Sequence, residues 1–215
     1  MRLMTKAEIA GFLEALRQDN PHPKGELYWT NPYTLLVAVA LSAQATDKGV
    51  NKATQSLFEL ISTPQEMLDL GEEGLKSYIK TIGLYNSKAK NVMLAAQILV
   101  DRFQGQVPQT REELMQLPGV GRKTANVVLN VAFGQPTIAV DTHLFRVSNR
   151  TGLAFGKTPD QVEDALLKRI PKSYIHDAHH WLILLGRYIC KARKPECYRC
   201  PIREFCQFPE KNLKP

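Results

Sequence analysis

Four times along the chain a threonine is followed three residues later by Glu or Gln: Thr5 with Glu8, Thr63 with Glu66, Thr110 with Glu113, and Thr158 with Gln161. Each pair can satisfy amides that the start of a helix leaves without partners, so each reads as a helix N-terminus. Pro64 and Pro159 directly follow their threonines, at the helical position that tolerates a missing N–H. Apolar residues then recur at helical spacing. Ile9, Phe12, Leu13 and Leu16 form one stripe. Val50, Ala53, Leu57 and Leu60 form a second, and Val92, Ala96, Leu99 and Phe103 a third. Residues 124–133 and 177–189 are apolar on most faces, as central helices are. Residues 33–41 are ambiguous by period and 137–140 read as a short extended piece, but neither makes a sheet alone. The expected fold class is all-α. Pro21, Pro23, Gly25 and Pro32 mark a loop after the first helix, Gly134 and Pro136 mark a second break, and these are the candidate lobe boundaries.

With 215 residues, 44% of them hydrophobic, the chain can bury a substantial core. No apolar run approaches the ~18 residues of a membrane span. The first residues hold Glu8 and no long apolar stretch, so no secretory signal is expected. Twenty-eight Lys and Arg against 21 Asp and Glu leave a net charge of +7. Such a surface suits a polyanion, with nucleic acid first and an anionic membrane surface second. All four cysteines lie between Cys190 and Cys206, whereas a disulfide-stapled secreted fold would spread them out. Crowded thiols point instead to one metal site in a reducing compartment.

Their spacing is Cys190-x6-Cys197-x2-Cys200-x5-Cys206. A zinc ribbon pairs two C-x2-C knuckles across roughly 15–20 residues, which this does not do, and the ferredoxin runs also differ. Four thiolates in one loop can ligate one metal or one cluster. Lys191, Arg193, Lys194, Arg199 and Arg203 surround them, against Glu196 and Glu204. These charges either grip phosphates or simply solvate the loop.

The stretch Leu117-Pro118-Gly119-Val120-Gly121-Arg122-Lys123-Thr124 joins a short helical segment to a longer one. Gly119 and Gly121 permit unusual backbone angles and leave amides uncovered. The following helix presents its positive end, so the turn can cradle a phosphate without reading a base. A phosphate-binding P-loop needs Gly-Lys-Thr after a strand, and the dinucleotide fingerprint needs a third glycine where Thr124 stands. Lys123 lies in the first turn, where the helix field favours the neutral amine that nucleophilic attack requires. Its plain alternative is a solvated phosphate contact. Asp141 can cap the helix entered through Thr142 and His143. His176, His179 and His180 lie near Asp177, but they open an apolar helix containing Trp181 and read as structural.

The stretch LPGVGRKTANVVLN resembles the helix-hairpin-helix of the endonuclease III family of DNA glycosylases. VDTHLFRVSNR at 140–150, LSAQATD at 41–47, GLYNSKA at 83–89 and the cysteine pattern resemble its other signature stretches, in the same order over nearly the whole chain. The resemblance implies a two-lobed helical protein. Residues 25–135 would form a helical barrel with the hairpin; 1–24 and 136–215 would form an iron–sulfur domain. DNA would lie across the cleft between them, with Lys123 and Asp141 facing each other. It implies a 4Fe–4S cluster on Cys190, Cys197, Cys200 and Cys206. Lys123 would attack C1′ of a damaged nucleotide and form a Schiff base that permits β-elimination, with Asp141 assisting proton transfers. Gln44 and Leu84 would fill the gap left by an extruded base. Gly119, Val120, Gly121, Arg122 and Thr124 would hold the backbone, together with His143, Lys191, Arg193 and Lys194. The implied protein is a bifunctional glycosylase and AP lyase for oxidised pyrimidines. It would act as a cytoplasmic, nucleoid-associated monomer on double-stranded DNA, with no membrane partner. Related adenine glycosylases generally lack a lysine at position 123 and carry an early catalytic glutamate, absent from 41–47 here. A monofunctional glycosylase and a non-catalytic DNA-binding module remain the rival readings.

Overall fold

The computed structural model describes residues 1–215, and helices and loops account for all of it. The helices are α1 (Lys6–Asp19), α2 (Pro32–Leu41), α3 (Asp47–Leu60), α4 (Pro64–Ile79), α5 (Tyr85–Phe103), α6 (Arg111–Leu114), α7 (Arg122–Phe133), α8 (Thr142–Thr151), α9 (Pro159–Arg169) and α10 (Lys172–Tyr188). A 3₁₀ turn covers Cys197–Arg199. The chain divides into two compact units, one formed by Glu26–Gln135 and the other by Met1–Gly25 with Pro136–Pro215.

The threonine signals all sit at helix starts. Thr5 and Thr63 make complete reciprocal caps with Glu8 and Glu66, and Thr110 and Thr158 each accept an amide N–H from the third helical residue. Asn31 adds a reciprocal cap with Thr34 at the start of α2. That helix occupies the ambiguous stretch. Eight of its ten residues are buried, so no polar face marks its period. Residues 137–140 form no strand.

In the unit formed by Glu26–Gln135, α2 lies in a core built with α3, α4, α5 and α7. The second stripe is not wholly inside: Leu60 is 57% exposed. The chain leaves the helix after Leu60, and extended Ile61 (φ −122°, ψ 136°) takes the buried position instead. In the other unit α10 packs on α8 and on α1, with α9 against α8. The indole of Trp181 donates to the carbonyl of Asn20 at 2.7 Å, tying α10 to the end of α1.

Candidate active site

The hairpin is formed by α6, α7 and the residues between them. The amide of Val120 donates to the Leu117 carbonyl at 3.1 Å, and both side chains are buried. The two glycines serve different needs. Gly119 has φ +80°, and a Cβ there would lie 3.2 Å from the Asn91 side chain on α5. Gly121 (φ −95°, ψ 179°) needs no special freedom, and nothing lies within 4 Å of where its Cβ would stand. Its bareness keeps the entrance to α7 open. No side chain caps this helix, so its first-turn amides face outward at the positive end of the helix dipole. Lys123 is exposed in this turn, with Arg122 and Thr124 half-buried beside it.

Asp141 is the N-cap of α8. Its Oδ1 accepts the amides of both His143 and Leu144 at 2.8 Å, which fixes the carboxylate and leaves Oδ2 without a bond within the chain. The capping role and a role in chemistry are therefore compatible, because one oxygen anchors the group and the other remains available. His143 is half-buried against α10, where a Cβ on Gly186 would fall 2.7 Å from its own Cβ. Its Nδ1 lies 3.3 Å from Arg146 Nη2. It therefore has a packing role beside any contact it makes with DNA.

Gln44 and Leu84 share a feature that their sequence concealed. Both are non-glycine residues in the left-handed region, with φ +55° and +61°. Such a conformation costs on the order of 1 kcal/mol or more and persists only where the surroundings enforce it. Leu84 is also 61% exposed, an apolar side chain held outward at the start of α5.

Cys190, Cys197, Cys200 and Cys206 form no disulfides, and all four line one cavity with Ile202 and Phe208 among its walls. Four thiols around one hollow, lined also by Arg150, Arg203 and Lys211, can together hold a metal or a cluster. Burial pushes the Cys200 thiol up to about 12 and raises that of Cys206, so bare thiolates are disfavoured here without a compensating cation or cluster. Around the hollow, Arg150 donates to the carbonyls of Lys191 and Ala192 at 2.7 and 2.9 Å, and its Nη1 lies 3.6 Å from Cys190 Sγ. Arg146 donates to the Cys190 carbonyl at 3.0 Å. Within the basic loop, Lys191 and Arg199 both pair with Glu196, whereas Arg193 and Lys194 are exposed and make no ion pair within the chain.

Lys88 escaped the sequence reading. It lies in α5 and is 8% exposed, and its ammonium donates to the Leu41 carbonyl at 3.0 Å. The available signal was a lysine on an otherwise apolar face, beside Ala89 and Val92.

An all-helical chain with a glycine hairpin opening an uncapped helix, and with a four-cysteine loop around one hollow, has the features of a phosphate-binding protein with a thiolate-held metal or cluster. Two family models match: the HhH-GPD superfamily base excision DNA repair protein over residues 37–172, and the iron–sulfur binding domain of endonuclease III over residues 190–206. Endonuclease III of Haemophilus influenzae is 59% identical over 97% of this chain and 99% of that protein. Endonuclease III of Escherichia coli K12 is 58% identical over the same shares. A trapped endonuclease III–DNA covalent intermediate superposes with a TM-score of 0.88 at 47% identity, covering 95% of this chain and 97% of that one. The chain belongs to the endonuclease III family of the HhH-GPD superfamily. It is a base excision repair DNA glycosylase with AP lyase activity, binds DNA, and carries a 4Fe–4S cluster. None of its helices is long and apolar enough to cross a membrane.

Proposed function

We propose that the enzyme removes oxidised pyrimidines from double-stranded DNA and cleaves the strand through a Schiff base on Lys123, with Asp141 as the acidic partner. The observation that carries this reading is the placement of Lys123. It is the exposed amine in the first turn of a helix whose amides no side chain caps. A phosphate held by those amides fixes the nucleotide beside the amine. The neutral amine of Lys123 attacks C1′, the bond from C1′ to the base breaks, and the base leaves with its electron pair and a proton. The C1′–O4′ bond then breaks, O4′ takes up a proton, and the ring-opened sugar remains on Lys123 as an iminium. Loss of a proton from C2′ then expels the 3′ phosphate, and water releases the amine. Asp141 stabilises the positive charge that develops on the sugar and relays protons through Oδ2.

Gly119, Val120 and Gly121 present backbone to the phosphate, with Arg122 and Thr124 alongside. Arg193 and Lys194 are exposed cations of the cysteine loop that share no carboxylate, while Lys191 shares its charge with Glu196. When bound, the cluster cross-links the four cysteines and holds this loop in shape. Gln44 and Leu84 enter the duplex where the damaged base leaves. The enzyme acts as a monomer, and its bacterial relatives support placement with the chromosome in the cytoplasm. Lys123 also speaks against the monofunctional rival, which needs no amine here.

Borohydride reduction in the presence of abasic DNA tests the reading, because it converts the iminium into a permanent cross-link. Peptide mapping should place the DNA on Lys123. Lys123→Gln should abolish cross-linking and strand cleavage while DNA binding survives on the backbone amides. Attachment to the N-terminal amine, to Lys88 or to another lysine would sink the mechanism, as would Lys123→Gln cleaving at the wild-type rate.

A further inference from the structure

Three non-glycine residues in the unit formed by Glu26–Gln135 lie in the left-handed region. Gln104 closes the C-terminus of α5, where this conformation is common; Gln44 between α2 and α3 and Leu84 at the start of α5 stand in surface turns. Strain of this kind needs an enforcing contact. Leu84 makes no capping hydrogen bond, and of the neighbouring side chains the Ser87 hydroxyl donates to its carbonyl at 3.3 Å; beside Gln44 the Ser42 hydroxyl donates to the Val39 carbonyl at 2.8 Å and Thr46 caps α3. Near Gln44 the local bonds run from the Ala45 amide to the Ser42 carbonyl at 3.0 Å, and from the Ser42 amide back to Ala38 and Val39. The carbonyl of Leu41, the last helical residue of α2, is left for a partner from elsewhere.

That partner is Lys88. Its ammonium donates to the Leu41 carbonyl at 3.0 Å, across 47 residues of chain. The same residue's backbone amide donates to the Leu84 carbonyl at 3.0 Å, the first hydrogen bond of α5. One residue thus holds the exit of α2 through its side chain and the Leu84 turn through its backbone. The arrangement is expensive for a purely structural tie. The ammonium is buried, and desolvation alone pushes its pKa below the ordinary lysine value, with no carboxylate to offset it. A buried lysine without an acid costs more than an apolar residue of the same length would. What it supplies is a charged donor at the negative end of α2, where a cation is favoured and where the hydrogen bond is directional.

We propose that Lys88 is a positioning residue for base extrusion: it sets the Gln44 turn against the Leu84 turn so that both wedges enter the duplex together. This rests on the wedge reading of Gln44 and Leu84. Lys88 touches no substrate itself and acts through the Leu41 carbonyl.

The test compares two substrates on the intact holoenzyme: a duplex carrying one thymine glycol, and the same duplex with a pre-formed abasic site. Lys88→Met keeps the long stem and removes the donor. Loss of a charged hydrogen bond of this kind corresponds to roughly tenfold or more. Excision from the thymine glycol duplex should fall by about that factor in kcat, while cleavage at the abasic site stays within about twofold. Lys88→Arg keeps a charged donor and should restore most of the excision. Gln44→Ala and Leu84→Ala should show the same selective loss, and adding Lys88→Met to either should deepen it little, because the contributions act through one event.

Equal losses on both substrates for Lys88→Met, no loss on either, or a full multiplicative loss on top of the wedge variants would overturn the proposal while leaving the wedges intact. If Gln44→Ala and Leu84→Ala themselves lose equally on both substrates, the wedge reading falls and this proposal with it. Thermal unfolding of each variant separates loss of fold from loss of positioning. Should Lys88→Met fail to fold, Lys88→Gln, whose amide is too short to reach Leu41, carries the same comparison.

Discussion

The Asp141 carboxylate caps α8 and, in the proposed mechanism, also serves the chemistry. Its Oδ1 closes two amides of α8, which is worth about 1 kcal/mol as an N-cap. That double use makes the choice of substitution decisive. Asparagine caps nearly as well as aspartate, so Asp141→Asn should leave the thermal midpoint within about 2 °C while cutting turnover strongly, because only the charge and the proton acceptor are gone. Asp141→Ala should lower both. Trapping by borohydride at a pre-formed abasic site should persist in part in Asp141→Asn, since the Lys123 amine is intact. A midpoint that drops as far for asparagine as for alanine would show that the cap depends on charge rather than on the hydrogen bonds. The stretches that hold Asp141 and Lys123 were legible before the fold was known, because their residue order is specific to the family. The left-handed backbone of Gln44 and Leu84 was not, since no local rule places a glutamine or a leucine there.

Elements carry the next layer. In the hairpin the two glycines separate fold from function. Gly119→Ala meets positive φ and the Asn91 side chain together, and should cost on the order of 1–2 kcal/mol in denaturant unfolding. Gly121→Ala has open space and ordinary angles, so stability should hold while affinity for DNA falls, because a methyl group then shields the entrance of α7. Equal stability of the two variants would count against this division. At the other end of the chain, α1 is closed by a cap that titrates. The Arg2 guanidinium and the Thr5 amide hold the Glu8 carboxyl down to about 2 from its ordinary 4.5. A depressed carboxyl adds stability above the unfolded value and loses it as pH falls toward the folded one. Glu8→Ala should therefore lower the thermal midpoint at pH 7, and the gap to wild type should close between about pH 4.5 and pH 2. A gap that is constant down to pH 2 would mean that packing, not charge, is lost.

For the molecule as a whole, affinity for DNA is expected to be set by how many cations remain free to meet phosphates. The 28 Lys and Arg overstate that number, because part of them is spent internally: Lys191 and Arg199 share Glu196, and Arg150 is turned onto the loop carbonyls and over the Phe208 ring. Arg193 and Lys194 are left exposed. Reversing both to Glu should weaken binding to every sequence alike and reduce the slope of log K against log salt by roughly two, one per lost phosphate contact. An unchanged slope would remove this loop from the interface.

Much of the architecture follows from local chemistry. Threonine caps, prolines at first helical positions and apolar stripes act over a few residues, so the helix starts at Thr5, Thr63, Thr110 and Thr158 stand in the sequence itself. The cysteine spacing and the hairpin are local in the same way. What required the folded chain was every relation between distant residues and every place where burial overrode period. The helix α2 has no polar face because neighbours cover it on nearly all sides, and Leu60 yields its inward position to Ile61 because the helix ends there. Likewise Lys88 finds its acceptor at Leu41, and Trp181 finds Asn20, across stretches of chain that no pattern in either segment encodes. Hydrogen bonds and packing of this kind depend on distances in space. A sequence states such distances only within the few residues that one turn of helix spans.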